Sequence, residues 1–378
     1  MSGPVNDAGQ PVLLFEHATA SGHVLAEARL NAEKTLNSLS LPMIEILHPA
    51  LNRWAADDRV VGVLITGSGD RAFSAGGDIQ ALYHAMVRNH EAGETVDPYP
   101  ERFFEEEYRL DYRIHTYPKP VISVGHGVVM GGGLGVFSGA AFRVVTETSR
   151  IALPEVSIGL FPDAGATWLL RSLPRHAATF IAMTGAHLNG ADALALGMGT
   201  HAVATAERDR VREALLALSW QQDAAADRAA VGEALAALPE PDLPESRIDV
   251  VPESLSADGG LAAAVARVRA LAGTSDWVDG AIDTMNRGCP ASVGVVVEQL
   301  ARAPALSIGD CFRLEMVVAT QCALHRDFAE GVRARLIDKD NQPAWRFDSV
   351  ETLPAAYVAE HFEAPWPRNP LHDLEATS

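Results

Sequence analysis

Two glycine-rich segments, each directly after an apolar run of strand length, constrain the fold of this chain more than any other feature. Arg71–Ile79 follows the apolar run Val60–Thr66, and His126–Gly135 follows the run Val121–Val124. An apolar run without alternation is typical of a strand covered on both faces. Glycine tolerates positive φ and lets a ligand approach the backbone. The pattern predicts an α/β domain in which glycine loops follow buried strands.

Other segments of the first half fit the same class of fold. Val12–Phe15 and Val24–Leu30 read as paired strands, and Arg143–Thr146 reads as a further strand. Helical stretches lie between the strands, and one of them carries aromatic residues at i, i+4 and i+8 (Phe104, Tyr108, Tyr112). Alternating strands and helices favour an α/β domain.

A helix is expected shortly after the first two strands. Ser40 is a candidate N-cap, Pro42 suits the first turn, and apolar residues recur at helical spacing from Ile44 to Leu51. Pro49 lies inside this run and is expected to kink or shorten the helix.

The composition changes after about residue 205, where the sequence becomes Ala-rich and helical. The segment Leu238–Pro244 contains three prolines and reads as a linker or extended connection. We therefore predict a catalytic core over residues 1–225 and a mainly helical C-terminal region over residues 226–378 that packs on the core.

The net charge bears on the possible partners. The chain has 30 Lys and Arg against 49 Asp and Glu, a formal charge of −19. Such a surface repels nucleic acid, and no basic run with interleaved aromatic residues offsets it. No stretch approaches the roughly 18 apolar residues of a membrane span. We expect neither a nucleic-acid nor a membrane partner.

The location is predicted from the start of the chain and from its cysteines. Met1–Asp7 has neither a basic nor an apolar leader region, which argues against a secretory signal. The three cysteines are far apart and show no paired spacing. A reducing, cytoplasmic setting is expected.

The glycine segments and polar residues exclude several chemistries. The second segment lacks the last glycine of a dinucleotide fingerprint, and no P-loop lysine follows either segment. No Gly-x-Ser-x-Gly elbow, His-Glu-x-x-His motif or cysteine pair with zinc spacing occurs, so neither a serine hydrolase nor a metal site is expected. Two readings remain: tight turns without a ligand, or two backbone N–H groups that form an oxyanion hole.

Two carboxylates in the segment Ile151–Ala166 are candidate catalytic groups. Glu155 and Asp163 lie in an otherwise apolar segment that is interrupted by prolines and glycines. They are either solvated loop residues or desolvated acids whose pKa values are raised into the range useful for proton transfer. In the second case the two could divide the work of a reaction at a carbonyl group.

Three motifs in register resemble the enoyl-CoA hydratase/isomerase (crotonase) family. They are Ala72–Ile79, Met130–Gly133 and the pair Pro154-Glu155. The resemblance implies a spiral of repeated β-β-α units, an acyl-CoA substrate, no cofactor beyond the CoA of that substrate, and a possible homo-oligomer. By motif position, the oxyanion hole would come from the backbone N–H groups of Gly77 and Gly132.

One departure from the pattern narrows the reaction. Crotonase hydratases carry a catalytic Glu where this chain has Gly135, and the chain offers Asp163 instead. That combination resembles the 3-hydroxyisobutyryl-CoA hydrolases of the family. Phe103–Tyr108 and Phe328–Asp340 are also similar to segments of those hydrolases, and the first of them makes Glu107 a candidate for substrate binding. Without the resemblance, Glu107 reads as a helix-surface acid.

The resemblance implies hydrolysis of a short β-hydroxyacyl-CoA thioester, with 3-hydroxyisobutyryl-CoA of valine degradation as the suggested substrate. Glu155 would attack the carbonyl or activate water, and Asp163 would hold the substrate hydroxyl or handle protons. Two alternatives stay open: an enoyl-CoA hydratase or isomerase, and an acyl-CoA-binding protein without turnover.

Overall fold

The computed structural model describes residues 4–7 and 9–375. Met1–Gly3, on which part of the leader prediction rests, lie outside the described residues. The strands of the described part are β1 Val12–Ala18, β2 Val24–Leu30, β3 Val60–Gly67, β4 Ala72–Ser74, β5 Val121–Gly125, β6 Val128–Met130, β7 Phe142–Val145, β8 Arg150–Ala152 and β9 His201–Ala202.

The described residues contain fifteen α-helices, nine of which begin after residue 189. They are α1 Leu41–Ala56, α2 Ile79–Ala92, α3 Tyr99–His115, α4 Gly132–Ser138, α5 Ala166–Ser172, α6 Arg175–Thr184, α7 Gly190–Ala195, α8 Asp209–Ala217, α9 Ala224–Ala236, α10 Leu261–Arg269, α11 Asp276–Arg287, α12 Pro290–Arg302, α13 Ile308–Leu324, α14 Arg326–Val332 and α15 Ala355–Glu360. Short 3-10 turns include Glu155–Ile158, and Arg333–Ile337 forms a π-helical turn.

The strands form two sheets, and from β3 onward successive strands of the chain alternate between them. The larger sheet has the order β1-β2-β3-β5-β7-β9, in which β1 and β2 are antiparallel and the later pairs are parallel. The smaller sheet has the order β4-β6-β8. The pairs β3/β4, β5/β6 and β7/β8 each give one strand to each sheet before a helix or helical turn, which confirms the predicted α/β spiral of β-β-α units.

The central strand of the larger sheet is buried as its sequence predicts. Every residue from Val60 to Ile65 in β3 is buried. Leu64 packs in a hydrophobic cluster with residues of β2, β5 and β7, among them Leu25, Ile122 and Val144. Because both faces of β3 are covered, no polar alternation is needed in this strand.

Helix α1 begins where it is predicted to begin, but Pro49 does not shorten it. The helix runs from Leu41 to Ala56 with Pro49 inside it. A proline removes one N–H donor from the helix, and the burial of apolar residues on one face, among them Leu47 and Leu51, compensates for this loss. Ser40 occupies the N-cap position without a side-chain capping bond.

The chain is divided into two compact units, each assembled from separate segments. The first contains residues 1–77, 109–151 and 188–246, and the second contains residues 78–108, 152–187 and 247–378. The second unit joins the segment around Glu155 to the C-terminal helices. The linear division at residues 225 and 226 stays a prediction. Leu238–Pro244 forms neither a helix nor a strand, which fits the predicted linker or extended connection. Among the described residues, no helix is both long and apolar enough to cross a membrane.

Candidate active site

The two glycine segments come together in the first unit. Gly76 follows β4 with φ of 105°, and Gly131 lies between β6 and α4 with φ of 50°. A side-chain carbon built on Gly76 would lie 3.1 Å from the carbonyl oxygen of Met130 and 3.6 Å from the amide nitrogen of Gly132. The two loops are therefore neighbours, and their close approach requires glycine at Gly76.

The amides predicted to form an oxyanion hole are on these neighbouring loops. Gly77 lies beside Leu39 in an isolated bridge whose hydrogen bond, from the Leu39 N–H, is accepted by Gly76. Gly132 is the first residue of α4, a position whose N–H has no partner within the helix. Across the described residues, neither the Gly77 N–H nor the Gly132 N–H donates to a backbone oxygen. The structure therefore places two unused donors on adjacent loops.

Gly133 explains why the second segment has three consecutive glycines. A side-chain carbon on Gly133 would lie 2.6 Å from both the carbonyl oxygen and the Cβ atom of Ser74 in β4. Such a distance is far below van der Waals contact, so α4 can begin against β4 only if this residue is glycine.

Glu155 begins a short 3-10 turn in the second unit, and α14 fixes that turn. Gly159 ends the turn with φ of 76°. A side-chain carbon on Gly159 would lie 2.4 Å from the carbonyl oxygen of Asp327, and one on Gly331 would lie 2.3 Å from the carbonyl oxygen of Ile158. The segment Phe328–Asp340, singled out in the sequence, thus begins on the helix that supports Glu155.

We expect Gly331→Ala to destabilise the protein by about 1–3 kcal/mol, because the added methyl group must push the turn away from α14. Gly280→Ala is the matched control, since Gly280 is also inside a helix but has nothing within 4 Å of the added atom. The control should be neutral or stabilising by about 0.5–1 kcal/mol. Urea unfolding of both variants checks this, and equal stabilities would contradict the tight contact.

Glu155 is buried and its carboxylate is incompletely paired. The residue is 3 % exposed, and its Oε2 atom has no hydrogen-bond partner among residues 4–7 and 9–375. Burial raises the pKa of Glu155 well above its usual range, and the charge of Asp163 raises it further. An orphaned buried carboxylate oxygen of this kind is costly unless a ligand uses it.

Asp163 lies on the loop before α5, where Tyr108 of α3 orients it. The Tyr108 hydroxyl donates to Oδ2 of Asp163 at 2.6 Å. Burial raises the pKa of Asp163 to about 6, while the bond from Tyr108 opposes that rise. A carboxyl group with a pKa near 6 can exchange protons at neutral pH.

Glu107 joins the same cluster from α3. It is 2 % exposed, and its Oε1 atom has no hydrogen-bond partner in the part of the chain that the structure describes. Burial raises the pKa of Glu107 well above its usual range, and the charges of Asp163, Glu315 and Glu155 add to the effect in that order. The structure therefore brings the three predicted carboxyl groups together, and the alternatives of a solvated loop and a helix surface are wrong for them.

Two polar residues of the C-terminal helices contact the Asp163 loop. They were not predicted from the sequence. Glu315 of α13 accepts hydrogen bonds from the backbone N–H groups of Gly165 and Thr167. Gln299 of α12 donates to the Pro162 carbonyl oxygen and the Thr167 hydroxyl. Burial raises the pKa of Glu315 to about 8, against the lowering effect of its hydrogen bonds. In the sequence, the signal for a buried role of Glu315 is its position directly before the apolar run from Met316 to Ala319.

His126 has a structural environment. Its Nε2 atom lies 2.9 Å from the Gly69 carbonyl oxygen, and burial lowers the pKa of this histidine to about 4. The ring also lines a cavity of about 740 Å³ in the first unit, which none of the predicted site residues lines. Charged groups around that cavity pair with each other, as Glu27 does with Arg29.

Comparison with known proteins identifies the family. The enoyl-CoA hydratase/isomerase family model matches residues 25–362. The chain therefore belongs to that family. Mitochondrial 3-hydroxyisobutyryl-CoA hydrolase of Gallus gallus is 32 % identical over 345 residues, which cover 88 % of this chain and 85 % of that protein. The Homo sapiens protein of the same name is 31 % identical over 367 residues, covering 93 % and 91 %.

Solved structures confirm the fold over nearly the whole chain. A carnitinyl-CoA dehydratase from Mycobacterium thermoresistibile has a TM-score of 0.81 at 32 % identity, covering 96 % of this chain and 99 % of the other. An enoyl-CoA hydratase from Rhodobacter sphaeroides has a TM-score of 0.79 at 31 % identity, covering 94 % and 98 %. The names of the relatives thus include both hydrolases and hydratases at similar identity, and the site residues must decide between these reactions.

Proposed function

We propose that this chain hydrolyses the thioester of a short β-hydroxyacyl-CoA, with 3-hydroxyisobutyryl-CoA as its substrate. The hydrolase relatives that match most of the chain support an acyl-CoA thioester hydrolase. The proposal of a β-hydroxyacyl-CoA substrate rests on the buried cluster of Glu107, Glu155 and Asp163. In addition, this chain has Gly135 at the position where the hydratases of the family carry their second catalytic acid. The cluster suits attack on a carbonyl group, whereas hydration in this family uses the acid that is missing.

In the first half of the reaction, a carboxylate oxygen of Glu155 attacks the thioester carbonyl carbon. The N–H groups of Gly77 and Gly132 stabilise the negative charge that develops on the carbonyl oxygen. Removal of one donor from such a hole typically raises the barrier by about 2.7–4 kcal/mol. Cleavage of the C–S bond then releases the CoA thiolate and leaves a mixed anhydride on Glu155. Burial makes the Glu155 carboxylate more basic, and so a better nucleophile once ionised.

In the second half, water attacks the anhydride and regenerates the Glu155 carboxylate. Asp163 handles the proton of the attacking water or of the leaving thiol, for which a pKa of about 6 is suited. The products are the free acid and CoA thiol, so one water is consumed in each turnover. Direct attack by a water that Glu155 activates gives the same products without the anhydride.

These two routes differ in where the oxygen of water first enters. One turnover in ¹⁸O-water, with enzyme in excess over 3-hydroxyisobutyryl-CoA, is followed by mass spectrometry of the peptide that contains Glu155. If water attacks the Glu155 carbonyl carbon of the anhydride, the peptide gains ¹⁸O in that turnover, and the released acid carries an oxygen from Glu155. If the peptide stays unlabelled while the released acid gains ¹⁸O, added hydroxylamine separates the routes. It converts an anhydride into a hydroxamate on Glu155, whereas direct attack by water leaves Glu155 unmodified.

Glu107 is proposed to accept a hydrogen bond from the β-hydroxyl of the substrate. We expect Glu107→Gln to lower kcat/KM for 3-hydroxyisobutyryl-CoA by about 10- to 100-fold, since a buried polar group that loses its hydrogen-bond partner costs about 1–3 kcal/mol. Isobutyryl-CoA, which lacks the hydroxyl, should lose much less. Glu106→Gln, the adjacent but more exposed acid on α3, is the control. An equal loss for both substrates would contradict this role.

The acyl group has one close competitor. 3-Hydroxypropionyl-CoA differs from 3-hydroxyisobutyryl-CoA by one methyl group, which an apolar pocket discriminates by only about 1–3 kcal/mol. We propose the larger substrate because the named relatives share it and match most of the chain. A comparison of kcat/KM for the two thioesters tests the choice.

Enoyl-CoA hydration is the second candidate function, because two similar solved structures carry dehydratase and hydratase names. Product analysis of crotonyl-CoA by mass spectrometry separates the two reactions. Hydration adds water and keeps the thioester, whereas hydrolysis releases CoA thiol. Fast formation of 3-hydroxybutyryl-CoA would overturn the hydrolase proposal. A cytoplasmic location and a homo-oligomer remain proposals, testable by fractionation and by light scattering.

A further inference from the structure

The loop that carries Asp163 has an unusual backbone. Ala164 has φ of 54° and Gly165 has φ of 84°, so two consecutive residues after Asp163 are in the left-handed region. Alanine rarely adopts this conformation, because its Cβ atom approaches the following carbonyl oxygen. A non-glycine residue persists there only when the surrounding structure holds it.

Glu315 holds the part of the loop after Asp163. Its Oε2 atom accepts the Gly165 N–H at 2.7 Å, and its Oε1 atom accepts the Thr167 N–H at 2.8 Å. Glu315 is fully buried, so these bonds satisfy a carboxylate that has no access to water. Both oxygens of the Glu315 side chain thus accept hydrogen bonds from backbone groups one and three residues after the strained Ala164.

Gln299 holds the loop on both sides of Asp163. Its Nε2 atom donates to the carbonyl oxygen of Pro162 at 2.6 Å and to the Thr167 hydroxyl at 2.8 Å. Gln299 is 1 % exposed. The chain from Pro162 to Thr167 is therefore bonded to two side chains of the C-terminal helices, which we call the clamp pair (Gln299 and Glu315).

We propose that the clamp pair are positioning residues, which act through Asp163 by keeping its loop in the strained conformation that presents the carboxylate. This inference rests on the proposed function, in which Asp163 takes part in thioester hydrolysis. The pair belongs to α12 and α13, so the C-terminal helices contribute to the chemistry through the geometry of one loop. Neither residue is assigned contact with the substrate.

Exchanges of a single atom type test the clamp without a change of size. Glu315→Gln places an amide NH₂ against one of the two N–H donors, and Gln299→Glu places an oxygen against two oxygen acceptors. We expect each to lower kcat for 3-hydroxyisobutyryl-CoA by about 10- to 100-fold, since a shift of about 1 Å in a catalytic group can cost about 100-fold. Val318→Ala, a buried truncation on α13, should lower the melting temperature without that loss of kcat.

A double-mutant cycle with Asp163→Asn separates positioning from a general effect on the fold. If the clamp pair act through Asp163, Glu315→Gln should lower kcat by less than about 3-fold in the Asp163→Asn background. Independent effects, in which the two losses multiply, would overturn the proposal. Ala164→Gly provides a second test, because glycine adopts the left-handed region without strain. It should restore several-fold of the kcat lost in Glu315→Gln, and no recovery would argue against the strained turn.

The outcomes distinguish the two proposals. A large loss in Asp163→Asn with normal kcat in both Glu315→Gln and Gln299→Glu would overturn the clamp alone. Wild-type kcat in Asp163→Asn would overturn the role of Asp163, and with it both proposals. If Glu315→Gln does not fold, Gln299→Glu carries the same cycle, because it contacts the same loop through different atoms.

Discussion

Glu155→Gln is expected to lower kcat for thioester hydrolysis by about 10³-fold or more, while the protein stays folded. The amide has the shape of the carboxylate but cannot attack a carbonyl carbon or accept a proton from water. The variant also removes a buried acid whose Oε2 atom has no hydrogen-bond partner among the described residues, so the fold should not be destabilised. CoA thiol release under saturating 3-hydroxyisobutyryl-CoA measures the loss.

Ser157→Ala in the same 3-10 turn is the control for local disruption. Its hydroxyl donates to the Pro154 carbonyl oxygen and is assigned no part in the reaction. Near-normal kcat in Ser157→Ala together with the loss in Glu155→Gln would locate the chemistry on the carboxylate. Comparable losses in both variants would mean that the turn, and not the acid, is what matters.

Asp163→Asn is expected to lower kcat by about 100-fold and to change how the rate depends on pH. In the wild type, kcat should fall as the pH drops through about 6, where Asp163 becomes protonated. The charge of Asp163 raises the pKa of Glu155, so its removal should move the acid limb of the residual activity to lower pH. A residual pH profile identical to that of the wild type would contradict this coupling.

The same substitution should stabilise the protein above pH 6. The pKa of Asp163 is raised from 3.8 to about 6 in the folded state. Its contribution to stability is therefore fully present below about pH 4 and lost as the pH rises through 6. This loss amounts to up to roughly 3 kcal/mol, at about 1.4 kcal/mol for each pKa unit. Asn avoids the loss, so Asp163→Asn should exceed the wild type in urea resistance at pH 8 and approach it at pH 4.

The sequence predicts the fold and the glycine loops because their signals are local. An apolar strand such as Val60–Thr66 followed by glycines needs no knowledge of distant residues, and the structure places β3 at a buried central position. The neighbouring loops at Gly76 and Gly131 follow from the same pattern. The continuation of α1 through Pro49 was not predictable in this way, because it depends on the packing of the buried face.

The side chains that hold the Asp163 loop could not be predicted from the sequence. Glu315 is 150 residues from Gly165, and Gln299 is 137 residues from Pro162. The local sequences of α12 and α13 do not indicate which loop Gln299 and Glu315 contact. The bond from Tyr108 to Asp163, across 55 residues, is of the same kind. Such contacts arise only from tertiary packing, although a lone acid in an apolar helix is a sign that a buried partner exists.

Thioester hydrolysis by this chain is tested most directly by the time course of CoA thiol release from 3-hydroxyisobutyryl-CoA with the wild-type protein. A thiol-reactive dye reports the thiol, and mass spectrometry of the same samples reports the free acid. If the chain is a thioester hydrolase, we expect many turnovers, with thiol and acid formed in equal amounts. Intact thioester after prolonged incubation, with a protein that is folded and binds the substrate, would contradict thioester hydrolysis.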